Sequence, residues 1–304
     1  MASIVRRNKF SINAKTSIVG LLGYPVEHSS SPLFQNRAIE AMGINTAYLA
    51  FSVKPENFED AFKGLIALGA VGANFTVPHK QSAYKLCDEC SPQARMMQAV
   101  NTVKFKDGKA YGYNTDAYGI KASINEQGFK FTGVKIAVLG AGGVARAIVT
   151  QAILDGASEI YVVNRTVLNA ENLISSVLDN CEKLDEKDKP NPIPPCRAVG
   201  YDKIGEALSR AVILINATSV GLKETDLMLF DPKFIEPATF VYDTIYNPSQ
   251  TRLLIAAKQS GCRKTSNGLT MLLYQGAKAF EIWFDRTAPV ELMRQQLMQP
   301  RAFL

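Results

Sequence analysis

Short, largely apolar runs alternate along the chain with segments whose apolar residues recur at helical spacing. The runs at residues 17–23, 134–139 and 159–163 carry few polar residues, which is typical of strands that are buried on both faces of a sheet. The alternation of such runs with helical segments predicts an α/β fold whose sheets are mainly parallel.

Residues that favour helix ends and turns divide this pattern further. Ser31 and Pro32 are expected to open a helix, as N-cap and first residue, and Gly43 to end it. The Asp-Gly pair within residues 99–113 predicts a β-hairpin. Residues 181–195 are rich in charge and proline, so we expect them to form an irregular surface excursion.

The composition is that of a folded protein of more than one domain. The 304 residues suit two hydrophobic cores, and 47% hydrophobic and 20% charged residues are ordinary for a globular chain. No apolar run is long enough to span a membrane. The basic N-terminal stretch lacks a following apolar region, so we expect an extension rather than a signal peptide, and a cytoplasmic protein. The net charge of +6 comes from scattered residues, and no nucleic-acid partner is expected.

The cysteine pattern does not favour a metal site. The chain has five cysteines, Cys87, Cys90, Cys181, Cys196 and Cys262. Cys87 and Cys90 form one C-x-x-C, which we place on an amphipathic helix. A zinc site would need a second pair or nearby histidines, and the only histidines are His28 and His79. We therefore expect reduced, structural thiols and no metal.

A glycine-rich turn between a buried strand and a helix predicts a dinucleotide site. Gly140, Gly142 and Ala145 give the pattern G-x-G-x-x-A, completed by Ala141 and Gly143. Gly140 permits the tight turn, Gly142 allows the pyrophosphate to approach the backbone, and Ala145 keeps the helix close to the sheet. The alternative is a tight turn with only a structural role.

The end of the next strand indicates which dinucleotide would bind. Enzymes that use NAD usually have an acidic residue there, which accepts from the ribose 2′-hydroxyl. This chain has Asn164, Arg165 and Thr166 and no acid. A guanidinium pairs well with the 2′-phosphate of NADP, so NADP is favoured over NAD. Alternatively, Arg165 is an exposed residue that shapes the loop.

Polar residues at strand ends in the N-terminal part predict a second site. Ser29 and Ser31 precede a helix, whose N-terminus favours a carboxylate; Ser31 could equally be only an N-cap. Lys80 follows a strand, where α/β enzymes keep their chemistry, although most lysines are solvated surface charges. Asn101 and Asp116 also lie at strand ends, and each could be only a turn former or an N-cap.

Together, these segments resemble the shikimate dehydrogenase family over residues 17 to 285. The shared motifs follow one another in the family's order: S-x-S-P at 29–32, N-x-T-x-P-x-K at 74–80, A-[VIL]-N-T at 99–102, G-x-N-T-D at 112–116, G-A-G-G at 140–143, N-R-T at 164–166, N-[AG]-T at 216–218, D-x-x-Y-x-P at 243–248 and G-x-x-M-L-x-x-Q at 268–275.

The resemblance implies an activity and an architecture. The activity is reversible, NADPH-dependent reduction of 3-dehydroshikimate to shikimate in aromatic amino-acid biosynthesis. Residues 1–118 and 268–304 would form an α/β substrate domain with a mainly parallel sheet. Residues 119–267 would form a Rossmann-type, doubly wound nucleotide domain, with the active site in the cleft between the domains.

The resemblance also implies residue roles. Lys80 and Asp116 would be the catalytic pair, in which the Lys80 ammonium stabilises and protonates the oxygen that receives charge when hydride reaches the ketone. The substrate would be bound by Ser29, Ser31, Thr76, Lys80, Asn101, Asp116, Tyr246 and Gln275. The cofactor would be bound by Gly140, Ala141, Gly142, Gly143, Ala145, Asn164, Arg165, Thr166, Thr218 and Gly268.

Four features depart from the family pattern. Asn169 stands where many NADP-using members have a second arginine, which weakens the case for NADP. Asn267 replaces a usual aspartate and Thr270 a frequent glycine, both near the expected nicotinamide and substrate. The excursion at residues 181–195 is unusual and has no evident role.

Two alternative functions are compatible with the same motifs. A quinate/shikimate dehydrogenase, often NAD-using, would need room near Ser29 and Ser31 for the extra hydroxyl of quinate. A non-catalytic, nucleotide-sensing regulator on this scaffold should have lost the Lys80 and Asp116 pair, which this chain retains. The only partner expected besides the cofactor is a small-molecule substrate, and the sequence leaves open a monomer or a homodimer.

Overall fold

The computed structural model describes residues 12–299, which divide into two compact units. The first unit consists of residues 12–91, 99–115 and 276–299, and the second of residues 92–98 and 116–275. The first eleven residues of the expected N-terminal extension lie outside the described part of the chain. Among the residues described, no helix is long and apolar enough to cross a membrane.

The units differ in their limits from the domains expected from the sequence. Residues 92–98, 116–118 and 268–275, all expected in the substrate domain, group with the second unit. The C-terminal part rejoins the first unit only at Gly276, halfway along a helix. A change of unit inside a continuous helix has no mark in the hydrophobic pattern, because the helical period continues across it.

A six-stranded mixed sheet forms the centre of the first unit. Its strands are β1 (Ser17–Gly23), β2 (Thr46–Ser52), β3 (Gly72–Phe75), β4 (Glu89–Cys90), β5 (Thr102–Lys106) and β6 (Lys109–Tyr113). They lie in the order β2-β1-β3-β5-β6-β4. β1 is parallel to both β2 and β3, while β5 is antiparallel to β3 and to β6. The expected hairpin is confirmed as β5 and β6, with Asp107 and Gly108 at positive φ in its turn.

The helices within residues 12–299 are, in order, α1 (Ser31–Ala41), α2 (Phe58–Ala67), α3 (Lys80–Leu86), α4 (Pro92–Met97), α5 (Thr115–Glu126), α6 (Gly143–Leu154), α7 (Val167–Glu182), α8 (Ile204–Leu208), α9 (Arg252–Gln259), α10 (Leu269–Phe284) and α11 (Val290–Met298). Short 3-10 turns occur at Pro55–Asn57, Glu186–Asp188, Tyr201–Lys203 and Pro232–Phe234.

The end of α10 closes the core of the first unit. The Trp283 indole nitrogen donates to the Val103 carbonyl at 2.9 Å and its ring lies over Gly72. A Cβ at Gly72 would come within 2.5 Å of that ring, so this position requires glycine. On α1, Gln35 donates to the Gly276 carbonyl at 2.8 Å. These bonds attach this part of α10 to β5 and to α1.

The second unit contains a fully parallel sheet of six strands. They are β7 (Lys135–Leu139), β8 (Glu159–Val163), β9 (Cys196–Val199), β10 (Ile213–Asn216), β11 (Phe240–Asp243) and β12 (Thr265–Asn267). Their order is β12-β11-β10-β7-β8-β9, so the chain runs outward from β7 on one side and from β10 on the other. This is the doubly wound order of a Rossmann-type sheet, with its switch point between β7 and β10. The predicted α/β class is confirmed.

Two local predictions are wrong. Cys87 and Cys90 do not lie on a helix, because α3 ends at Leu86 and Cys90 belongs to β4, which pairs with β6. The excursion at residues 181–195 begins later than expected, since α7 continues to Glu182 and buries the Cys181 side chain. In both cases tertiary contacts, rather than local polarity, determine the element.

Candidate active site

Five of the expected site residues lie at one edge of the first sheet. β1 and β3 are parallel neighbours, so the segments that follow them, with Ser29, Ser31, Thr76 and Lys80, leave the same edge. Because β5 runs antiparallel to β3, the residue before β5 is at that edge too, and Phe75 donates to the Asn101 carbonyl at 2.9 Å. The topology therefore gathers residues that are up to 72 positions apart in sequence (101 minus 29).

Gly23 brings the loops after β1 and β3 together. A Cβ on Gly23 would lie 2.4 Å from the Thr76 methyl carbon, so no side chain fits there. Two backbone bonds join the loops, from Tyr24 to the Val77 carbonyl and from Thr76 to the Leu22 carbonyl, both at 3.0 Å. Thr76 is thereby fixed beside the loop that follows β1 and carries Ser29, which we call the serine loop.

The serines do not act as helix caps. The N-cap position of α1 is Ser30, without a side-chain capping bond, and Ser31 is the first helical residue, so the interpretation of Ser31 as an N-cap is wrong. The Ser31 amide donates to the Ser29 hydroxyl oxygen at 3.2 Å. The Ser31 hydroxyl hydrogen bonds to the buried Tyr48 hydroxyl, whose pKa is raised by burial above its ordinary value. Both hydroxyls thus lie at the N-terminal end of a helix, which favours an anion.

Lys80 is the first residue of α3 and is partly exposed. The residue before it, His79, is only 1% exposed and stacks on the Phe58 ring at 4.4 Å. The His79 Nε2 is 2.7 Å from the Val53 carbonyl, and burial lowers the pKa of this imidazole. The start of α3, and with it the backbone of Lys80, is therefore held by a side chain packed in the interior.

Asn101 is almost fully buried, and its side-chain orientation is determined by its neighbours. The Thr115 amide donates to Asn101 Oδ1 at 2.8 Å, and the Thr102 hydroxyl lies 3.1 Å from the same oxygen. Since the atom that faces an N–H must be an acceptor, Oδ1 points inward and Nδ2 is the opposite end of the group. Asn101 can therefore offer a ligand a hydrogen-bond donor and not an acceptor.

In the second unit, two further expected residues lie on packed helices. Asp116 directly follows Thr115 and is the second residue of α5, so it is not an N-cap. One turn later, a Cβ at Gly119 would lie 2.8 Å from the Met271 carbonyl and 3.0 Å from Gln275 Cβ. This close approach of α5 and α10 places Gln275 beside the first turn of α5. Gln275 Nε2 donates to the Leu272 carbonyl at 2.9 Å.

The glycine-rich turn after β7 has the geometry that a pyrophosphate requires. Gly140 has φ +103°, and its α-carbon is packed so that a Cβ would be 2.8 Å from the Thr218 methyl carbon. A Cβ at Gly142 or Gly143 would meet nothing within 4 Å, so the start of α6 is open to a ligand. Ala145, one turn into α6, is fully buried. Backbone donors at an open helix N-terminus fit a dinucleotide phosphate.

The segment after β8 fits the phosphate of NADP. Arg165 is exposed. Burial raises the pKa of Tyr201 to about 12, and the positive charge of Arg165 opposes this rise in part. Asn164 Nδ2 donates to the Thr166 carbonyl at 2.8 Å, which folds the loop into α7. Asn169 is exposed on the first turn of α7 and brings no second positive charge. The arginine of the N-R-T motif is therefore not joined by a second arginine at position 169.

Across the switch point, the segment after β10 is held by a buried carboxylate. Asn216 Oδ1 accepts from the Thr218 hydroxyl at 2.7 Å and its amide nitrogen donates to Asp243 at 3.0 Å. Asp243 also accepts from the Thr251 hydroxyl at 2.6 Å, and burial raises the pKa of its carboxyl. Tyr246, three residues past β11, is 37% exposed. Thr218 and Tyr246 thus stand at the same carboxyl edge of the second sheet.

Contacts at the junction of β12 and α10 account for two of the departures from the family pattern. Asn267 Oδ1 accepts from the Leu269 amide and its Nδ2 donates to the Ser249 carbonyl, both at 3.1 Å, and an aspartate could not make the second bond. The Thr270 hydroxyl is bonded to Ser123, which also bonds the buried Tyr242. Gly268 is forced, because a Cβ there would be 1.9 Å from the Thr244 carbonyl oxygen.

Sequence reasoning missed the side chains that support Asn101. Asn74, Thr102 and Thr115 lie in the quoted motifs but were given no role, and Tyr48 lies in none of them. The available signal was polarity within strands, because Asn74 and Thr102 are polar residues at buried strand positions. For Tyr48, which is 26 residues from its partner Asn74, the sequence carries no such signal.

Comparison with known families assigns three separate segments of the chain. Residues 21–103 match the family described as shikimate dehydrogenase substrate binding domain. Residues 123–222 match shikimate / quinate 5-dehydrogenase, and residues 268–298 match the shikimate 5′-dehydrogenase C-terminal domain.

Individual relatives agree with the family matches. A shikimate dehydrogenase (NADP(+)) from Methanopyrus kandleri is 42% identical over 294 residues, covering 95% of this chain and 97% of the relative. The structure of shikimate 5-dehydrogenase from Listeria monocytogenes with shikimate and NAD is 35% identical, with TM-score 0.86 over 94% of this chain and 98% of that one. A shikimate dehydrogenase structure in complex with NADP+ is 40% identical, with TM-score 0.83 over 95% and 96% of the chains.

Proposed function

The chain belongs to the shikimate dehydrogenase family, and we propose that Lys80 and Asp116 carry out its proton transfer while the edge of the first sheet binds the substrate. The reaction is the reversible, NADP-dependent reduction of 3-dehydroshikimate to shikimate. The observation that carries the proposal is the gathering of Ser29, Ser31, Thr76, Lys80 and Asn101 at one sheet edge.

The cofactor would be held by the second unit. The open start of α6 at Gly142 and Gly143 would face the pyrophosphate, and Arg165 would pair with the 2′-phosphate. Ala141, Asn164, Thr166 and Thr218 would complete the lining of that edge. When bound, NADPH supplies the hydride. Gly268, where no side chain fits, would leave room for the nicotinamide end.

Lys80 is the residue that handles the proton. A ketone carbon that gains hydride leaves negative charge on its oxygen, and an ammonium at that oxygen stabilises the charge and then donates the proton. In the reverse direction the neutral amine accepts the proton from the substrate hydroxyl. Asp116 would orient the Lys80 ammonium and offer its carboxylate to the neighbouring hydroxyl.

The remaining contacts divide by hydrogen-bonding character. Hydroxyls of Ser29 and Ser31, at the start of α1, suit the substrate carboxylate, with Thr76 beside them. Asn101 offers a donor to a ring oxygen, because its own oxygen is used internally. Gln275 uses its amide nitrogen on the Leu272 carbonyl, so its Oε1 is the end that would accept from a ring hydroxyl. Tyr246 would border the same substrate.

Replacing Lys80 tests the proposal directly. Lys80→Ala should lower kcat by a factor of about 100 or more, the usual scale for loss of general acid–base catalysis, while shikimate still binds. Steady-state oxidation of shikimate by NADP+ gives kcat, and calorimetric titration of the variant gives the Kd for shikimate. Lys85→Ala, on the same helix, is the matched control and should leave kcat unchanged. Turnover of Lys80→Ala at the wild-type rate would rule out the role of Lys80.

A further inference from the structure

A buried cluster of polar side chains lies beneath the substrate edge of the first unit, and of its members only Asn101 has a role in the chemistry above. Its members are Tyr48, Asn74, Asn101, Thr102 and Thr115, and each is less than a tenth exposed. All five belong to the first unit. Buried polar groups carry a free-energy cost unless their hydrogen bonds are complete, so a cluster of this size requires a reason.

Thr102 is the centre of the cluster. Its hydroxyl oxygen lies 2.9 Å from Asn74 Nδ2, 3.1 Å from Asn101 Oδ1 and 3.1 Å from the Thr115 hydroxyl. The side chain is fully buried, so water cannot replace any of these bonds. The three contacts equal the full capacity of a hydroxyl, which has one donor and two lone pairs.

The donors and acceptors around Thr102 can be assigned by counting protons. Asn74 Nδ2 is only a donor; it donates to Thr102 and, at 2.9 Å, to the Asn101 carbonyl. Asn74 Oδ1 must then accept, and it does so from the Tyr48 hydroxyl at 2.8 Å. Asn101 Oδ1 has two lone pairs, of which one takes the Thr115 amide and the other a threonine hydroxyl.

We propose that Thr102 is a positioning residue, which holds the Asn101 amide group in the one orientation that presents its donor to the substrate ring. The inference rests on the proposed function, in which Asn101 binds the ring. Thr102 also holds the Thr115 hydroxyl, and Thr115 directly precedes Asp116 in the chain. The hydroxyl of Thr102 therefore acts on the reaction without touching substrate or cofactor.

Removing this hydroxyl while keeping the side-chain shape is the test. Thr102→Val should raise KM for shikimate about tenfold, the scale of one buried hydrogen bond, with the KM for NADP+ changed less than about twofold. Thr102→Ser restores the hydroxyl and should return KM to within about twofold of wild type. The readout is the split between the two KM values in steady-state oxidation of shikimate.

A matched control is provided by Thr150. It is fully buried in α6 of the second unit, and its hydroxyl has no hydrogen-bond partner among the described residues. Thr150→Val makes the same chemical change as Thr102→Val and should leave both KM values unchanged. A general effect of burying one more methyl group would appear in both variants.

A double-mutant cycle shows whether Thr102 acts through Asn101. If it does, Thr102→Val should change KM by less than about twofold when Asn101 is already alanine. Additive effects would mean that Thr102 acts by another route and would overturn the proposal. If Thr102→Val does not fold, Thr115→Val removes the other threonine hydroxyl of the cluster, and its KM for shikimate should rise about threefold.

The outcomes separate this inference from the proposed function. An unchanged KM for shikimate in Thr102→Val, with Lys80→Ala inactive, refutes the positioning role and leaves the function intact. An active Lys80→Ala variant refutes the proposed chemistry whatever Thr102→Val does. Equal increases in the KM for shikimate and for NADP+ would also refute positioning, because they indicate a general loss of structure.

Discussion

At the ligand edge of the first sheet, the polar groups of Asn74, Asn101, Thr102 and Thr115 are bonded to one another in the interior. At the corresponding edge of the second sheet, the turn after β7 presents backbone, and a Cβ at Gly142 or Gly143 would project into open space. The first edge is thus specified by side chains that must be present, and the second by side chains that must be absent. The difference matches the expected ligands. At the first edge individual side chains would bind individual atoms of the substrate, and at the second edge backbone donors would bind a phosphate.

The largest effect on ligand binding is expected when a side chain is added at Gly142, where the second edge requires that none be present. Gly142→Ala should raise the Kd for NADP+ at least about tenfold, because its methyl group occupies the space that the pyrophosphate needs. The melting temperature should not fall, since that Cβ meets nothing in the folded chain. Calorimetric titration and thermal unfolding measure the two quantities.

Gly140→Ala is the counterpart for that experiment. Gly140 has φ +103° and its Cβ would be 2.8 Å from the Thr218 methyl carbon, so this variant should lose stability as well as NADP+ affinity. The strain of a non-glycine residue at this φ alone should lower the free energy of unfolding by about 1–2 kcal/mol. If both glycine variants lost stability equally, open space at Gly142 would be the wrong description.

A smaller and more selective effect is expected at Arg165. Arg165→Ala should raise KM for NADP+ about tenfold, since it loses one charge-assisted pair with the 2′-phosphate, and should leave KM for NAD+ nearly unchanged. Arg197→Ala is the control. Arg197 is also exposed, but it pairs with Glu159 at the start of β8, whereas Arg165 follows the end of that strand. Equal losses with the two cofactors would show that Arg165 only shapes the loop.

The smallest effect concerns His79 in the first unit. Burial lowers its pKa below the ordinary 6.5, so as the pH falls through that value the unfolded chain takes up a proton before the folded one does. Stability should therefore decrease as the pH falls below about 6.5. His79→Gln should flatten this dependence, whereas His28→Gln, at an exposed position, should keep it. Urea unfolding at several pH values gives the slope, and an unchanged slope in His79→Gln would contradict this origin.

The second unit was the easier of the two to predict. Its strands are buried on both faces, and a glycine pattern between a strand and a helix specifies a local backbone conformation. Gly140, Gly142 and Arg165 could therefore be placed from a few adjacent residues. Asn267 and Thr270 were noticed as departures, but their bonds to Ser249 and Ser123 join distant segments and could not be read from the sequence.

Most elements of the first unit were predicted, with β4 as an exception, but the connections between them were not. The site of Asn101 depends on β5 running antiparallel to β3, a reversal that hydrophobic patterning does not encode. The Tyr48 to Asn74 bond spans 26 residues. Polar residues at strand ends indicated the edge at which we propose that the substrate binds, but the network that orients them follows from tertiary pairing. The roles of all the site residues and the domain limits stay predictions.

The saturated oxygen of Asn101 has a consequence for how relatives of this enzyme can diverge. A change of Asn101 alone leaves the Thr102 hydroxyl and the Thr115 amide without this acceptor, so a new ring preference at this position should need compensating changes among these neighbours. Ser29 is less constrained than Asn101, since its hydroxyl oxygen accepts from one backbone amide, that of Ser31. Mutational paths to new substrates should therefore begin in the serine loop, and the strand beneath Asn101 should be the most epistatic part of the domain.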